Sequence, residues 1–171
     1  MPIPPYFERM RGGGAPAARP ALRTLMRASL GASVGIGAIG YLASSSGVPL
    51  VLGSFGASCV LLFGFPDAPF SQPRNVVGGH VIATLTGLVF LHTLGSAWWS
   101  LALAVACATA LMHLSRTVHP PAGSNPVIVM LSTPGWHFLL TPTLLGSLAL
   151  VVIALLFNNV DPRVRYPKYW Y

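Results

Sequence analysis

The chain has 171 residues, 53% of them apolar and only 8% charged, and its mean hydropathy is +0.66. A soluble domain of this length carries about a quarter charged residues; with three acids in all, Glu8, Asp67 and Asp161, no ordinary water-facing surface can be built, whereas a lipid-facing one can. The net charge of +7 is gathered at the ends, +4 over residues 1–27 and +2 over residues 159–171, which excludes the folded basic face that nucleic acid requires and points to two tails held on the cytosolic side of a membrane.

Residues 1–20, rich in Pro, Gly, Ala and Arg, read as a disordered cytosolic tail without the form of a cleaved signal peptide. The transmembrane domain is then expected over residues 21–159. A first helix begins near Ala21 and runs to Leu42, with Gly31 and Gly35 at the spacing that lets helices approach closely. Ser44–Pro49 breaks it. Leu50–Gly64 is short for a bilayer that asks for about 20 residues, so it is either a thin fifth crossing or a re-entrant piece with its helix at Ser54–Phe63. Pro66–Asn75 is a proline-punctuated connection.

Val76–Leu94 reads as a full span carrying His80 and His92, and Ala97–Leu114 as the next, with Trp98 and Trp99 in an interfacial belt and His113 near its end. The following stretch, Arg116-Thr117-Val118-His119-Pro120-Pro121-Ala122-Gly123-Ser124-Asn125-Pro126, sets a charge, an imidazole, three prolines and small polar residues between apolar runs. Such groups are costly in hydrocarbon and mark a functional break. Val127–Leu131 is a short apolar piece, Phe138–Phe157 the last span with Pro142 in its first part, and residues 160–171 a basic, aromatic tail suited to headgroups.

Displaced by 67 residues, Gly56–Phe63 falls on Gly123–Met130 and Gly79 on Gly146. The fold expected is therefore all-α, with two internal repeats at about 21–95 and 96–159, four transmembrane helices and two short re-entrant or broken helices. That count leaves both basic tails on one side, whereas five transmembrane helices would separate them. It makes the two halves parallel, related by an axis along the membrane normal.

A helix starting inside a membrane exposes backbone N–H groups and the positive end of its dipole. Pro120 and Pro121 suit such a start. Gly123, Ser124 and Asn125 from one half, with Ser54, Gly56 and Ser58 from the other, would make an anion site needing no metal and no cofactor. Arg74, Asn75, His80, Arg116 and His119 flank it, the arginines as permanent charges and the histidines as groups able to exchange a proton. No Ser–His–Asp set has an available acid, and five histidines without nearby carboxylates or paired cysteines make no hydrolytic zinc site, so no enzyme is read here. A haem held by His80 and His113 is an alternative, and so is a structural or sensory membrane module. Four helices are few for a sealed pathway, which argues for a homodimer or homotrimer.

The segment Arg116–Gly123 (RTVHPPAG) resembles the signature of the HPP family of integral membrane proteins, named for the tripeptide found here at His119-Pro120-Pro121. The likeness extends to GSFGAS at 53–58, PDAPFSQPRNVVGGH at 66–80, GWHFLL at 135–140 and LLFNN at 155–159. The resemblance implies functional polar positions at Gln72, Arg74, Asn75, His80, Arg116, His119 and Asn159. Plant chloroplast relatives are associated with nitrite transport, so it also implies an inner-membrane protein handling nitrite or a similar small anion. Relatives often carry Ala-Thr where this chain has Ser124-Asn125, a difference that bears on solute preference if this stretch lines the site.

Overall fold

The structure, a computed structural model, describes residues 6, 8–10 and 12–171. The tail expected at residues 1–20 therefore lies partly outside the described residues; residues 12–20 are exposed and carry no regular structure. The described residues form helices and connections only. Three helices, Leu22–Ser46, Pro73–Leu94 and Trp136–Asn158, are long and apolar enough to cross a membrane, and Phe55–Gly64 and Trp98–Leu114 are shorter apolar helices.

Helix α1 spans Leu22–Ser46 and outlasts the expected end at Leu42. Ser45 and Ser46 do not break it, because their hydroxyls donate back to the Leu42 carbonyl at 3.3 and 2.6 Å. It stops at Gly47, whose φ of +70° only glycine adopts at little cost and whose N–H closes on Ala43. Most of α1 faces outward. It buries only Gly31, Gly35 and Ile39, one stripe at four-residue spacing.

That stripe receives α2 (Phe55–Gly64). A methyl group on Gly31 would stand 2.6 Å from the Phe63 ring, and one on Gly35 2.7 Å from the same ring. Gly64 lies beside Ala28, and Cys59 beside Gly35. So α2 runs antiparallel to α1 and delivers the chain to the end where α1 began. A connection over residues 65–72 leads into α3 (Pro73–Leu94), which starts three residues before the expected Val76 because Pro73 fits a first helical position. A turn at Gly95 joins it to the antiparallel α4 (Trp98–Leu114).

After α4 the chain turns at Arg116, winds tightly over Pro120–Ser124 and enters α5 (Asn125–Ser132). Thr117 lies against Gly78, His119 against Gly79, and Pro126 with Val129 against Gly87, so this segment climbs parallel to α3. Trp136 then stacks on His92 near the α3 end, with ring centroids 5.0 Å apart. The expected last span is interrupted at Thr141, whose backbone is extended, and α6 proper is Leu145–Asn158. Its last residue returns to the α1 start: Arg27 donates to the Asn158 side chain at 3.0 Å, and Asn158 to the Leu62 carbonyl at 3.0 Å.

One expectation needs correction, that the two halves run parallel. The short helices are the broken pieces that the sequence allowed as an alternative to re-entrant ones: each follows a non-helical stretch and carries the chain onward to the opposite end of the bundle. As a result the halves α1–α3 and α4–α6 run in opposite directions, not parallel. The reason is steric and lies at two glycines. Gly146 of α6 lets the non-helical chain at Leu50 cross it carbonyl-first, and Gly79 of α3 does the same for Thr117, whose oxygen would stand 2.9 Å from a methyl group there.

The start of α1, the ends of α2, α4 and α6, and the carboxyl-terminal tail thus share one end of the bundle. The tail is folded back on it. Tyr166 is buried and donates to the Ser71 carbonyl at 2.8 Å, the Lys168 N–H donates to the Gln72 side chain at 2.7 Å, and the Lys168 ammonium pairs with Asp67 at 2.8 Å.

Candidate functional site

The starts of the two short helices meet in the interior. Ser54, at the start of α2, donates to the Asn125 side-chain oxygen at 2.7 Å. One turn on, Ser58 sits between two imidazoles, 2.9 Å from His80 Nε2 and 2.8 Å from His119 Nε2. The His119 Nδ1 lies 2.7 Å from the Phe70 carbonyl. The Asn125 amide nitrogen lies 3.0 Å from His80 Nδ1, 2.9 Å from Thr84 Oγ1 and 3.3 Å from the His80 carbonyl. Thr84 in turn reaches Thr143 at 3.1 Å. Ser58, His80, Thr84, His119, Asn125 and Thr143 are all without solvent exposure.

The local sequence explains the placement. Ser54 and Ser58 are four apart, as are His80 and Thr84, so each pair shares one helix face. Pro120 and Pro121 forbid an earlier helix start, leaving His119 extended, with its ring turned back toward α2. Gly79 has no side chain to keep His119 away from α3: a methyl group there would stand 2.7 Å from His119 Cβ. The rings of His80 and His119 then meet edge to face at 4.9 Å, and Phe55 closes over His80 at 5.0 Å.

Five of the expected site residues, Ser54, Ser58, His80, His119 and Asn125, come together here. Asn75 supports them from one step away, donating to the Val118 carbonyl at 3.0 Å. The others stand apart. Gly56 faces outward with nothing near it; Ser124 is exposed and donates to the Pro121 carbonyl at 2.8 Å; Gly123 is half-buried and likewise has open space beside it. Arg116 is exposed with φ of +56°. Arg74 is half-buried and donates to the Ser115 carbonyl at 3.1 Å, tying α3 to the end of α4.

Side chains, more than free amides, make the cluster: the Phe55 and Ser58 N–H groups already bond to the Leu52 and Ser54 carbonyls at 2.9 and 3.1 Å. Thr84, Thr143 and the Phe70 carbonyl were not anticipated. Thr84 could have been found from its four-residue spacing to His80; Phe70 and Thr143 enter only through folding.

Among the described residues no three His, Cys, Asp or Glu side chains converge as metal ligands would. The His80–His113 pair that a haem would use is not assembled, because His113 is exposed at the end of α4 while both His80 ring nitrogens are engaged in the cluster. A cleft of about 340 Å³ lies away from the cluster, at the tail-bearing end, between Arg23, Arg27, Phe157 and Asp161. The buried groups themselves are enclosed on all sides.

The sequence profile of a family described as HPP, transmembrane region, matches residues 17–167. Two Dictyostelium discoideum proteins, each described as a transmembrane protein, are similar over much of the chain. One is 32% identical across 97% of this chain and 57% of its own length; the other is 34% identical across 71% of this chain and 46% of its own. The chain thus spans about half the length of these curated relatives. No solved structure matches.

Proposed function

The chain belongs to the HPP transmembrane family, and from that membership and the buried polar cluster we propose that it is a membrane transporter for a small inorganic anion, nitrite first among them. The cluster is the observation that carries this reading. Six fully buried polar side chains from α2, α3, α5 and the segments before α5 and α6 bond to one another inside a body whose surface is apolar. Groups of this kind are expensive at membrane depth and characteristically mark solute pathways. Serine, asparagine and imidazole all offer donors to an oxyanion, without a fixed opposite charge that would hold it too tightly to leave.

The architecture supports a transport cycle. At the offset of 67, Gly79 and Gly146 correspond, and so do their partners Thr117 and Leu50. Each glycine admits the broken segment of the other half. This reciprocity supports two inverted repeats and six passages of the chain, in which residues 47–64 and 115–132 each cross as an extended piece followed by a short helix. Inverted halves around a midplane site suit alternating access, in which one half rocks against the other. The enclosed cluster corresponds to the occluded stage. In this reading both tails lie in the cytoplasm of an inner-membrane protein, Arg74 and Arg116 attract the anion at that mouth, and the protein assembles as a homodimer or homotrimer.

The test is uptake of nitrite, nitrate and formate into liposomes of purified protein, with Asn125→Ala and, as a control away from the cluster, Ser124→Ala. Transport predicts nitrite uptake above protein-free vesicles, lost with Asn125→Ala and kept with Ser124→Ala. The internal satisfaction of the cluster favours a second reading, a structural module in which it only locks helices together. Equal flux in the parent protein, the variants and empty vesicles would select that reading.

A further inference from the structure

With both imidazoles neutral, the hydrogen-bond partners fix the direction of the protons along the line from Asn125 to Phe70. The Phe70 carbonyl can only accept, so His119 carries its ring proton on Nδ1 and must accept at Nε2. The donor to that nitrogen is the Ser58 hydroxyl. Ser58 therefore accepts from His80, which holds its proton on Nε2 and leaves Nδ1 to accept from the Asn125 amide. The amide nitrogen of Asn125 is placed on that side by the His80 carbonyl, another pure acceptor, at 3.3 Å. The result is one directional chain, Asn125 to His80 to Ser58 to His119 to Phe70, with both imidazoles neutral.

The same chain accepts one more proton without losing a partner. Ser58 has a second acceptor within reach, the Ser54 carbonyl at 3.3 Å. If the hydroxyl turns its hydrogen there, its oxygen can accept from His80 Nε2 and from a newly protonated His119 Nε2 at once. Ser58 is a two-position switch between a neutral and a cationic relay. Among the described residues no other cation serves the cluster: none of its hydrogen-bond partners there is a charged side chain. On α3, Arg74 is engaged by the Ser115 carbonyl; on the α2–α3 connection, Asp67 is paired with Lys168. Arg116 ahead of α5, His113 at the end of α4 and His137 ahead of α6 are exposed. On α2 the one titratable group, Cys59, packs toward Gly35 of α1.

Resting on the transport reading above, we propose that each anion crosses together with one proton, and that the proton rides on the His80–Ser58–His119 relay. An uncompensated anion among neutral dipoles at membrane depth is costly. An imidazolium formed as the anion arrives cancels that charge and disappears as the anion leaves, with histidine the one side chain whose ordinary proton affinity lies in the working range. The cycle is electroneutral: one negative and one positive charge move together, and nothing is oxidised or reduced.

The experiment uses the full chain in liposomes with nitrite as probe and protein-free vesicles subtracted. One arm imposes a pH gradient, acid outside, with the potential clamped; the other imposes an inside-positive potential without a pH gradient. Proton coupling predicts uptake in the first arm, approaching about tenfold accumulation for each pH unit, with internal acidification in step and no response in the second. Ser58→Ala should lose the gradient-driven accumulation and Ser58→Thr, which keeps the hydroxyl, should restore it. Uptake that follows the potential and ignores the pH gradient overturns proton coupling while leaving transport standing, and the parent protein alone decides this even if Ser58→Ala fails to fold. Undiminished gradient-driven accumulation by a folded Ser58→Ala protein overturns the relay. No uptake by the parent above protein-free vesicles removes the transport reading and, with it, this one.

Discussion

At the scale of single residues, Asn125 holds the cluster together: its amide serves His80, Thr84 and Ser54 at once. Asn125→Ala leaves buried acceptors and a donor unmet, each costing about 1–3 kcal/mol, so its melting temperature in detergent should fall well below that of the parent. Thr84→Val keeps the shape and removes only the hydroxyl, and should cost less, about 1–2 kcal/mol on the same scale. The reverse order in thermal unfolding would mean that the hydrogen bonds of Asn125 are not what stabilises this region. Arg116 is a different case. Its exposure and left-handed backbone make it a turn residue, and Arg116→Gly should leave stability unchanged or slightly raised, because glycine relieves the positive φ.

At the scale of elements, two crossings of non-helical chain over long helices decide the architecture. Each depends on a glycine, and the obstacle a side chain would meet is partly backbone, which cannot swing aside. Gly146→Val would drive a side chain into the Leu50 carbonyl and the Phe55 ring. It should cost at least about 1–3 kcal/mol and yield a poorly monodisperse protein by size-exclusion chromatography. Gly37 on α1 is the control, because nothing lies within 4 Å of a methyl group placed there. Gly37→Ala should be neutral or stabilise by up to about 1 kcal/mol through helix propensity, read as an unchanged or higher unfolding temperature. If both variants behaved alike, close approach would not be the reason for Gly146.

At the scale of the whole molecule, the carboxyl-terminal tail closes the end of the bundle where α1 starts. Two ionisable groups set the pH window of that closure. The Arg163 guanidinium, bonded to both oxygens of Asp161 at 2.9 and 2.7 Å, holds its carboxyl well below the usual carboxylate range, with Arg23 adding a weaker contact at 3.8 Å. A depressed acid stabilises fully above its ordinary pKa, about 4, and progressively less as pH falls below it. Burial pushes the Tyr166 phenol up; a raised acid stabilises fully below its ordinary pKa, about 10, and loses that contribution as pH rises past it. Protease nicking of residues 160–171 should therefore be slowest between about pH 4 and 10 and faster on both sides, measured by pulse digestion at matched activity. Asp161→Asn should remove the acid limb alone.

Composition, hydropathy and the positions of proline and glycine were enough to establish a helical membrane body and three of its four expected spans as long apolar helices, Trp98–Leu114 being shorter. They were also enough to single out Ser54, Ser58, His80, His119 and Asn125 as polar residues that the fold brings together. These are properties of local chain chemistry: an apolar run must bury its backbone polarity in a helix, a proline pair stops that helix from starting early, and a residue four positions along shares a face. The direction of the short helices was not legible, because an apolar stretch of ten residues is equally able to return to its own side or continue across. Only the packing of Phe63 into Gly31 and Gly35, and of Leu50 and Thr117 over Gly146 and Gly79, turned the halves against each other. The same long-range contacts brought the Phe70 carbonyl and Thr143 to the histidines and left Arg116, Ser124 and Gly56 outside. Spacing along a chain fixes which side chains share a face, but which faces meet depends on where close approach is sterically allowed.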